Sequence, residues 1–467
     1  MDNGLKRVAI CFLLWIGCSS VVYTKHRPRR DLSIVHEWSQ IEFDYHSEVE
    51  RQANIDGGYF RVGTIAPEDC DVYYSGNTST VFITTPRIHS GTPVTLGTVT
   101  DRTRNGNPIV APYPSWSWHN NSNECPVNGI SSAFRITIDE CERLWVIDIG
   151  PLNDVITCPA RLLAFDLRTN HLLLRYEFPN SVLLSNSFLS TLVVDVVDQA
   201  NSCRNTFVYL GDVRGFQMIV YDLAQNRSWA VRDRTMYPYP NYGIYNIAGQ
   251  QFYIMDGIVG MSLTPNKPGE PRRLFYHAMS SPTENWVYTS YLRNETIFRN
   301  NPFAAPQIFH TYRNTRSTQS SAEAIDRDGI MYYGLLGDIK IACFNTQGIY
   351  QNKNSTAIIA DDPVTLQFPD GVKISTNSRG RQELWILTSR AQYVASGTMF
   401  DVNETNFRIM TVLICEAGSC AYGCLRITFV YWEVILQITI RKNCVRKCTF
   451  LQLSCHQPRI SKFGTRG

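Results

Sequence analysis

The sequence predicts an all-β chain folded as a six-bladed β-propeller with four-stranded antiparallel blades. Three observations carry that expectation: a short apolar strand recurs six times, hairpin turns flank each recurrence, and the composition favours pleated structure. Of 467 residues 12% are aromatic, with 24 Tyr, 22 Phe and 9 Trp, and flat side chains suit a β-surface. The recurring strands are Phe82-Ile83-Thr84, Leu144-Trp145-Val146-Ile147, Val208-Tyr209-Leu210, Leu274-Phe275-Tyr276, Met331-Tyr332-Tyr333 and Leu384-Trp385-Ile386-Leu387. Their centres fall 53 to 67 residues apart, a period that signals repeat architecture.

Each unit divides further. In the second, Ile130–Asp139 reads as a strand, Asp139-Glu140-Cys141-Glu142 as a turn and Leu144–Asp148 as the next strand. Arg161–Leu167 and Leu172–Phe178 follow, joined by Arg168-Thr169-Asn170. The fifth unit repeats the plan with Ser320–Asp326, the turn Asp326-Arg327-Asp328-Gly329, Ile330–Leu336 and Lys340–Asn345. Acid and glycine at these turns supply the positive φ of tight hairpins. Asp326-x-Asp328-Gly329 mimics the start of a calcium loop but lacks the later ligands, so a hairpin is the reading. Four antiparallel strands in about sixty residues make a propeller blade, and six blades close a ring. Trp38–Tyr45 alternates apolar and polar and is expected to supply the strand that closes the last blade.

Domain organisation follows. Residues 1–24 read as a secretory signal, with Lys6 and Arg7 before the apolar run Val8–Gly17 and small residues Cys18-Ser19-Ser20 at a cut. That run is too short to anchor in a membrane. Residues 25–37 form a basic arm, 38–410 the propeller, and 411–467 an atypical Cys-rich basic tail expected to lie outside it. The tail holds the apolar run Leu425–Ile440, too short and too charged to span a bilayer. The net charge of +3 hides an uneven distribution: the two basic ends leave about −9 on residues 31–440. An acidic body repels phosphate backbones, which disfavours nucleic-acid partners.

Six glycosylation sequons lie at Asn77, Asn120, Asn226, Asn294, Asn354 and Asn403. Cys70, Cys125, Cys141, Cys158, Cys203 and Cys343 belong to the body and lack metal-finger spacing, so in an oxidising compartment they read as disulfides of open connectivity. The last five are the disulfide candidates. No nucleophile elbow, phosphate loop, His-Glu-x-x-His or dinucleotide fingerprint is present. No metal or cofactor is expected, and His277 reads as a packing residue.

Ile83-Thr84-Thr85-Pro86-Arg87, Gly91–Leu96, Ala111–Trp116, Ile138–Gly150, Cys158-Pro159, Phe165-Asp166-Leu167, Val220-Tyr221-Asp222, Asp256–Leu263 and Asn406-Phe407-Arg408-Ile409 occur in a characteristic order. In these stretches, from about Trp38 to Ile409, the chain resembles the insect Yellow and major royal jelly protein family. Relatives end soon after the Asn-Phe-Arg-Ile strand with a Cys, whereas this chain continues through Cys415, Cys420 and Cys424. If the family's final Cys pairs with Cys343, the replacement among those three stays open.

The resemblance implies a secreted, extracellular propeller and several roles: a binder of small aromatic amines or melanin precursors linked to pigmentation or to cuticle or eggshell maturation, a dopachrome-converting isomerase, or a non-catalytic structural or nutritive secretion. Propeller geometry places a ligand where inner strands enter the central channel. Those strands begin near Ser131-Ser132, Ser190-Thr191, Asp256-Gly257, Ser320-Ser321 and Asp370-Gly371. The expected ligand-binding residues are Ser131, Thr191, Asp256, Ser320 and Asp370, with Phe252 and Phe368 beside them. Carboxylates and rings suit a small cation bearing an aromatic ring. Asp256 and Asp370 are the candidate bases if the site is catalytic. A small aromatic amine or catechol ligand and a cuticle or eggshell matrix are the expected partners.

Overall fold

The computed structural model describes residues 32–119, 125, 128–152, 155–156, 158–200, 202–414, 425–431 and 434–440. The predicted signal and Asn120 lie outside these residues, as do Cys415, Cys420, Cys424 and the basic end of the tail.

Six small sheets follow one another along the chain. Their innermost strands are Asp69–Ser75 (blade 1), Ala133–Ile138 (blade 2), Leu189–Val196 (blade 3), Ile258–Leu263 (blade 4), Glu323–Ile325 (blade 5) and Pro369–Thr376 (blade 6). Each inner strand touches those of the two neighbouring blades, blade 6 meeting blade 1, so the ring closes. The chain is a six-bladed β-propeller. All six recurring apolar segments fall within second strands: Thr78–Thr84, Arg143–Asp148, Thr206–Asp212, Arg273–Ala278, Ile330–Leu335 and Gln382–Thr388. A second strand has neighbours on both edges and blades on both faces, so nearly every position is buried; Trp145 and Tyr209 are 0% exposed. Continuous apolar runs are what such two-faced burial requires.

The turns behave as their residues dictate. Glu142 and Asn170 hold φ near +58° and Gly329 +83°. The Asp326 carboxylate accepts the Asp328 and Ile330 N–H groups at 2.9 Å, which makes Asp326–Gly329 a hairpin turn.

The closing seam differs from expectation. Ser33–Trp38, most of it inside the predicted basic arm, is the strand that pairs antiparallel with Phe407–Leu413 and completes blade 6. The chain then turns at Ser39-Gln40, where Asn107 Oδ1 accepts both N–H groups. Glu42-Phe43 runs parallel to the Asn107–Pro112 edge of blade 1. The alternation over Trp38–Tyr45 therefore records a clasp over two blades: Trp38, Ile41, Phe43 and Tyr45 fill the core between them. The last blade's third strand runs to Leu413, past the expected boundary at 410. Leu425–Tyr431 and Val434–Ile440 pair with each other in a separate two-stranded sheet.

Cys125 bonds Cys158, and Cys141 bonds Cys203 across blades 2 and 3. Cys343 is disulfide-bonded as well, with its partner outside the described residues. Cys70 corrects the reading of every body cysteine as paired: it is free and buried on the inner strand of blade 1. The described sequon residues Asn77, Asn226, Asn294, Asn354 and Asn403 are all exposed.

Candidate ligand site at the channel mouth

Where the inner strands begin, the ring encloses a cavity of about 280 Å³. Its wall is largely apolar, with Phe134, Phe188, Phe368, Val213, Val259 and Met279, and carries Glu68, Arg135, Arg214, Asp256 and Asp370. Short covering segments complete it: Thr64–Pro67, Pro86–Thr92 and the helix Ala391–Ala395. This volume lies at the small end of ligand pockets, suited to a molecule of one or two rings.

The backbone device that aims these side chains is a set of bulges. Register slips at Ala133/Ile136, Leu189/Thr191, Ile258/Gly260 and Pro369/Gly371 in the inner strands of blades 2, 3, 4 and 6. Each slip brackets residues that face the cavity: Phe134 and Arg135, Ser190, Val259, and Asp370. An extra residue breaks the two-residue alternation and re-aims a side chain. Phe368 adds local strain just before the last slip, with φ of +54°.

Asp256 stands between blades 3 and 4. Among the described residues nothing donates to its carboxylate, and Arg214 acts on it only through space. Burial pushes its pKa up to about 6, partly offset by Arg214, whose guanidinium sits 4.8 Å over the Phe188 ring. Near neutral pH Asp256 is a partly desolvated anion facing an aromatic wall.

On the far side of the axis, beside blades 6 and 1, three charged groups meet. Arg135 donates to the Asp370 backbone carbonyl at 2.5 Å and to Glu68 Oε1 at 3.1 Å. Asp370 is 3% exposed and accepts a hydrogen bond from the Ser389 hydroxyl. Burial raises its pKa to about 7; Arg135 and Ser389 work against that rise, and Asp69 adds to it. Glu68 is driven well above its usual value by burial and then by Asp370. Arg135 works against both rises, and Asp370 adds to that of Glu68.

The sequence-predicted residues divide. Asp256, Asp370 and Phe368 share the cavity. Thr191 lines a separate cavity of about 580 Å³ at the other end of the channel, because the bulge gives the mouth position to Ser190. Ser131 is buried in a structural network, its N–H on Asp148 and its hydroxyl accepting from Arg161 at 3.0 Å. Ser320 is 0% exposed and outside both cavities. Phe252 stacks on Tyr245, centroids 4.8 Å apart, within the hairpin Ile244–Tyr253. These four are corrections to a mouth drawn by strand starts alone. Nothing in the sequence marks Glu68, and the one signal for Arg135 is its place in an otherwise apolar inner strand, Ala133–Ile138.

A second polar cluster joins blades 4 and 5. His277 Nδ1 lies 3.0 Å from Glu284 and 3.2 Å from Glu323, and Nε2 donates to the Ser321 carbonyl at 2.9 Å. Arg316 donates to Glu284 at 2.7 Å. With acceptors at both ring nitrogens the imidazole is charged. Burial and Arg316 lower its pKa, but the carboxylates outweigh them and leave it raised. The three donors are close enough to hold a metal ion, yet two cations already balance two anions. His277 is thus part of an internal ion network.

A sequence model described as major royal jelly protein matches residues 131–418. The chain is 33% identical over 385 residues to major royal jelly protein 9 of Apis mellifera, covering 81% of this chain and 86% of that protein. It is 31% identical over 392 residues to dopaminechrome tautomerase of Drosophila melanogaster, covering 81% of each. It is 30% identical over 404 residues to protein yellow of Drosophila madeirensis, covering 83% and 68%. Among solved structures, virginiamycin B lyase from Staphylococcus aureus aligns at a TM-score of 0.38 with 10% identity, over 74% of this chain and 95% of that one. That likeness is too distant to bear on function. By sequence, the chain belongs to the major royal jelly protein family.

Proposed function

We propose that this protein is a secreted carrier of a small aromatic amine or melanin precursor, acting in pigmentation or in the maturation of cuticle or eggshell. One observation carries the reading: the Asp256 carboxylate, without a donor of its own among the described residues, faces a cavity walled by Phe134, Phe188 and Phe368. A half-buried anion left unpaired by the protein is a costly arrangement that a ligand cation would complete. The rings supply stacking and cation–π attraction for the rest of the amine. Two disulfides and five exposed sequon residues support an extracellular, glycosylated protein. Titration calorimetry with dopamine and serotonin tests the binder. Saturable heat from the wild type, lost in Asp256→Asn, is the expected result; no heat from the wild type leaves a structural or nutritive secretion as the better reading.

A second reading, isomerisation of an oxidised amine, is favoured by one further observation. The cavity holds two carboxyls whose pKa values burial raises, and a relative across most of the chain is named a dopaminechrome tautomerase.

A further inference from the structure

We propose that the channel-mouth cavity is built for a zwitterionic aromatic amino acid, its ammonium on Asp256 and its carboxylate on Arg214; the proposal rests on the amine-cavity reading above and narrows its ligand. Besides the His89 imidazole, the charged side chains on the cavity wall are Glu68, Arg135, Arg214, Asp256 and Asp370. The protein itself engages three of them. Glu68 accepts from Arg135 at 3.1 Å, Arg135 also donates to the Asp370 carbonyl, and the Asp370 carboxylate accepts the Ser389 hydroxyl. Arg214 and Asp256 differ. Among the described residues neither side chain makes a hydrogen bond or an ion pair, with the other or with anything else. A simple amine would satisfy the acid and leave the guanidinium bare.

Both residues are fixed at the backbone and open at the side chain. The Gly257 N–H donates to the Val213 carbonyl at 2.8 Å, which ties the segment carrying Asp256 to the one carrying Arg214. This approach needs glycine, because a Cβ at Gly257 would lie 2.9 Å from that carbonyl oxygen. Ser280 clamps Asp256 in both directions: its hydroxyl accepts the Asp256 N–H at 3.0 Å, and its own N–H donates to the Asp256 carbonyl at 3.2 Å. Asn186 Nδ2 donates to the Arg214 carbonyl at 2.8 Å. The Arg214 guanidinium rests 4.8 Å over the Phe188 ring, a cation–π seat that is not on the carboxylate. Two opposite charges therefore stand on neighbouring, hydrogen-bonded segments with their bonding capacity unspent. An α-amino acid is the complement, since one carbon carries both its ammonium and its carboxylate. Charge-assisted bonds to each are the strong kind, and the arginine fork matches a carboxylate. The side chain would lie among Phe134, Phe188 and Phe368. Phe134 and Phe188 already meet edge to face with centroids 5.0 Å apart, a setting that takes a further ring.

Calorimetry of the full chain with L-tyrosine and with tyramine is the test, because the two differ by the carboxylate alone. The wild type is expected to bind tyrosine roughly tenfold or more tighter than tyramine, the worth of one charge-assisted bond. Arg214→Gln should erase that preference by weakening tyrosine, and Arg214→Lys, which keeps the charge, should restore part of it. Attachment at ammonium, carboxylate and ring also makes the two enantiomers of tyrosine bind unequally. Tyramine bound by the wild type as tightly as tyrosine overturns the proposal and leaves the amine reading standing. An Arg214→Gln protein that keeps the preference, or equal affinity for both enantiomers, overturns it too. A wild type that gives heat with neither ligand removes both readings. Arg214 is exposed and its side chain donates no hydrogen bond among the described residues, so its variants are expected to fold as the wild type does.

Discussion

Lys373 Nζ, on the inner strand of blade 6, lies 2.9 Å from Asp69 Oδ2 on the inner strand of blade 1. The same ammonium donates to the Ile136 carbonyl of blade 2 at 2.7 Å. Asp69 and Asp71 in turn accept the Ile136 and Ile138 N–H groups at 3.1 and 2.8 Å. Inner strands of neighbouring blades splay too far apart for a backbone ladder, so side chains make the cross-links. At the seam where the ring closes, one lysine ties three blades.

Lys373→Met should therefore destabilise the propeller. Asp69 is 0% exposed, and removing the partner of a buried charge costs roughly 3–5 kcal/mol. The Asp69→Asn/Lys373→Met double variant should recover part of the loss. Denaturant unfolding of the four proteins of this cycle gives the coupling directly. A Lys373→Met midpoint equal to wild type would show that the seam is held by the Trp38–Tyr45 clasp alone.

The acidic channel makes a pH prediction with a definite sign. Burial raises Asp71 and Asp256 to about 6 and Asp370 to about 7, against about 3.9 in an unfolded chain. A raised folded-state value contributes stability that is fully present below the unfolded pKa and lost as pH climbs through the folded one. His277, also raised, acts in the same direction above about pH 6.5. The protein should resist denaturant better at pH 5 than at pH 7.5, and equal midpoints would contradict the assignment of these groups as desolvated.

The two halves of the design were not equally visible in the chain. Strands such as Leu144–Ile147 announce themselves because burial on both faces demands an unbroken apolar run. The mouth is set by a finer event. One extra residue at Leu189/Thr191 exchanges Ser190 for Thr191, and no local composition marks a bulge. Ser131 shows the converse: its position at a strand start is as predicted, but Asp148 and Arg161 hold it away from the cavity. Glu68 and Arg135 lie 67 residues apart in sequence, and only ring closure brings them together with Asp370.

Asp256→Asn separates binding from stability. An ordinary buried carboxylate that caps backbone groups weakens a fold when neutralised. Asp256 has no such donors among the described residues, and its raised pKa means that its charge opposes folding at pH 7.5. The variant should gain roughly 1–3 kcal/mol at that pH and nothing at pH 4, while losing dopamine affinity. Function held against stability is the expected trade at a ligand site. A variant less stable than wild type at pH 7.5 would make Asp256 a structural residue and remove the main support for the amine site.

Gly260 links the inner strand of blade 4 to the His277 network. A Cβ there would lie 2.1 Å from His277 Cε1. The ring cannot retreat, because Ser321 holds one nitrogen and the two glutamates face the other. Moving the imidazole would take a charged partner from Glu284 and Glu323, neither of them more than 5% exposed. Gly260→Ala is therefore expected to cost more than the usual 1–3 kcal/mol of overpacking, enough to abolish recovery of folded protein. Gly249→Ala is the matched control: its φ is +83°, but a Cβ there meets open space. It should cost only about 1 kcal/mol of backbone strain. Soluble yield and melting temperature of the two variants make the comparison. A soluble Gly260→Ala protein melting close to Gly249→Ala would mean that the imidazole is free to move and that the ion network is not a rigid joint between blades 4 and 5.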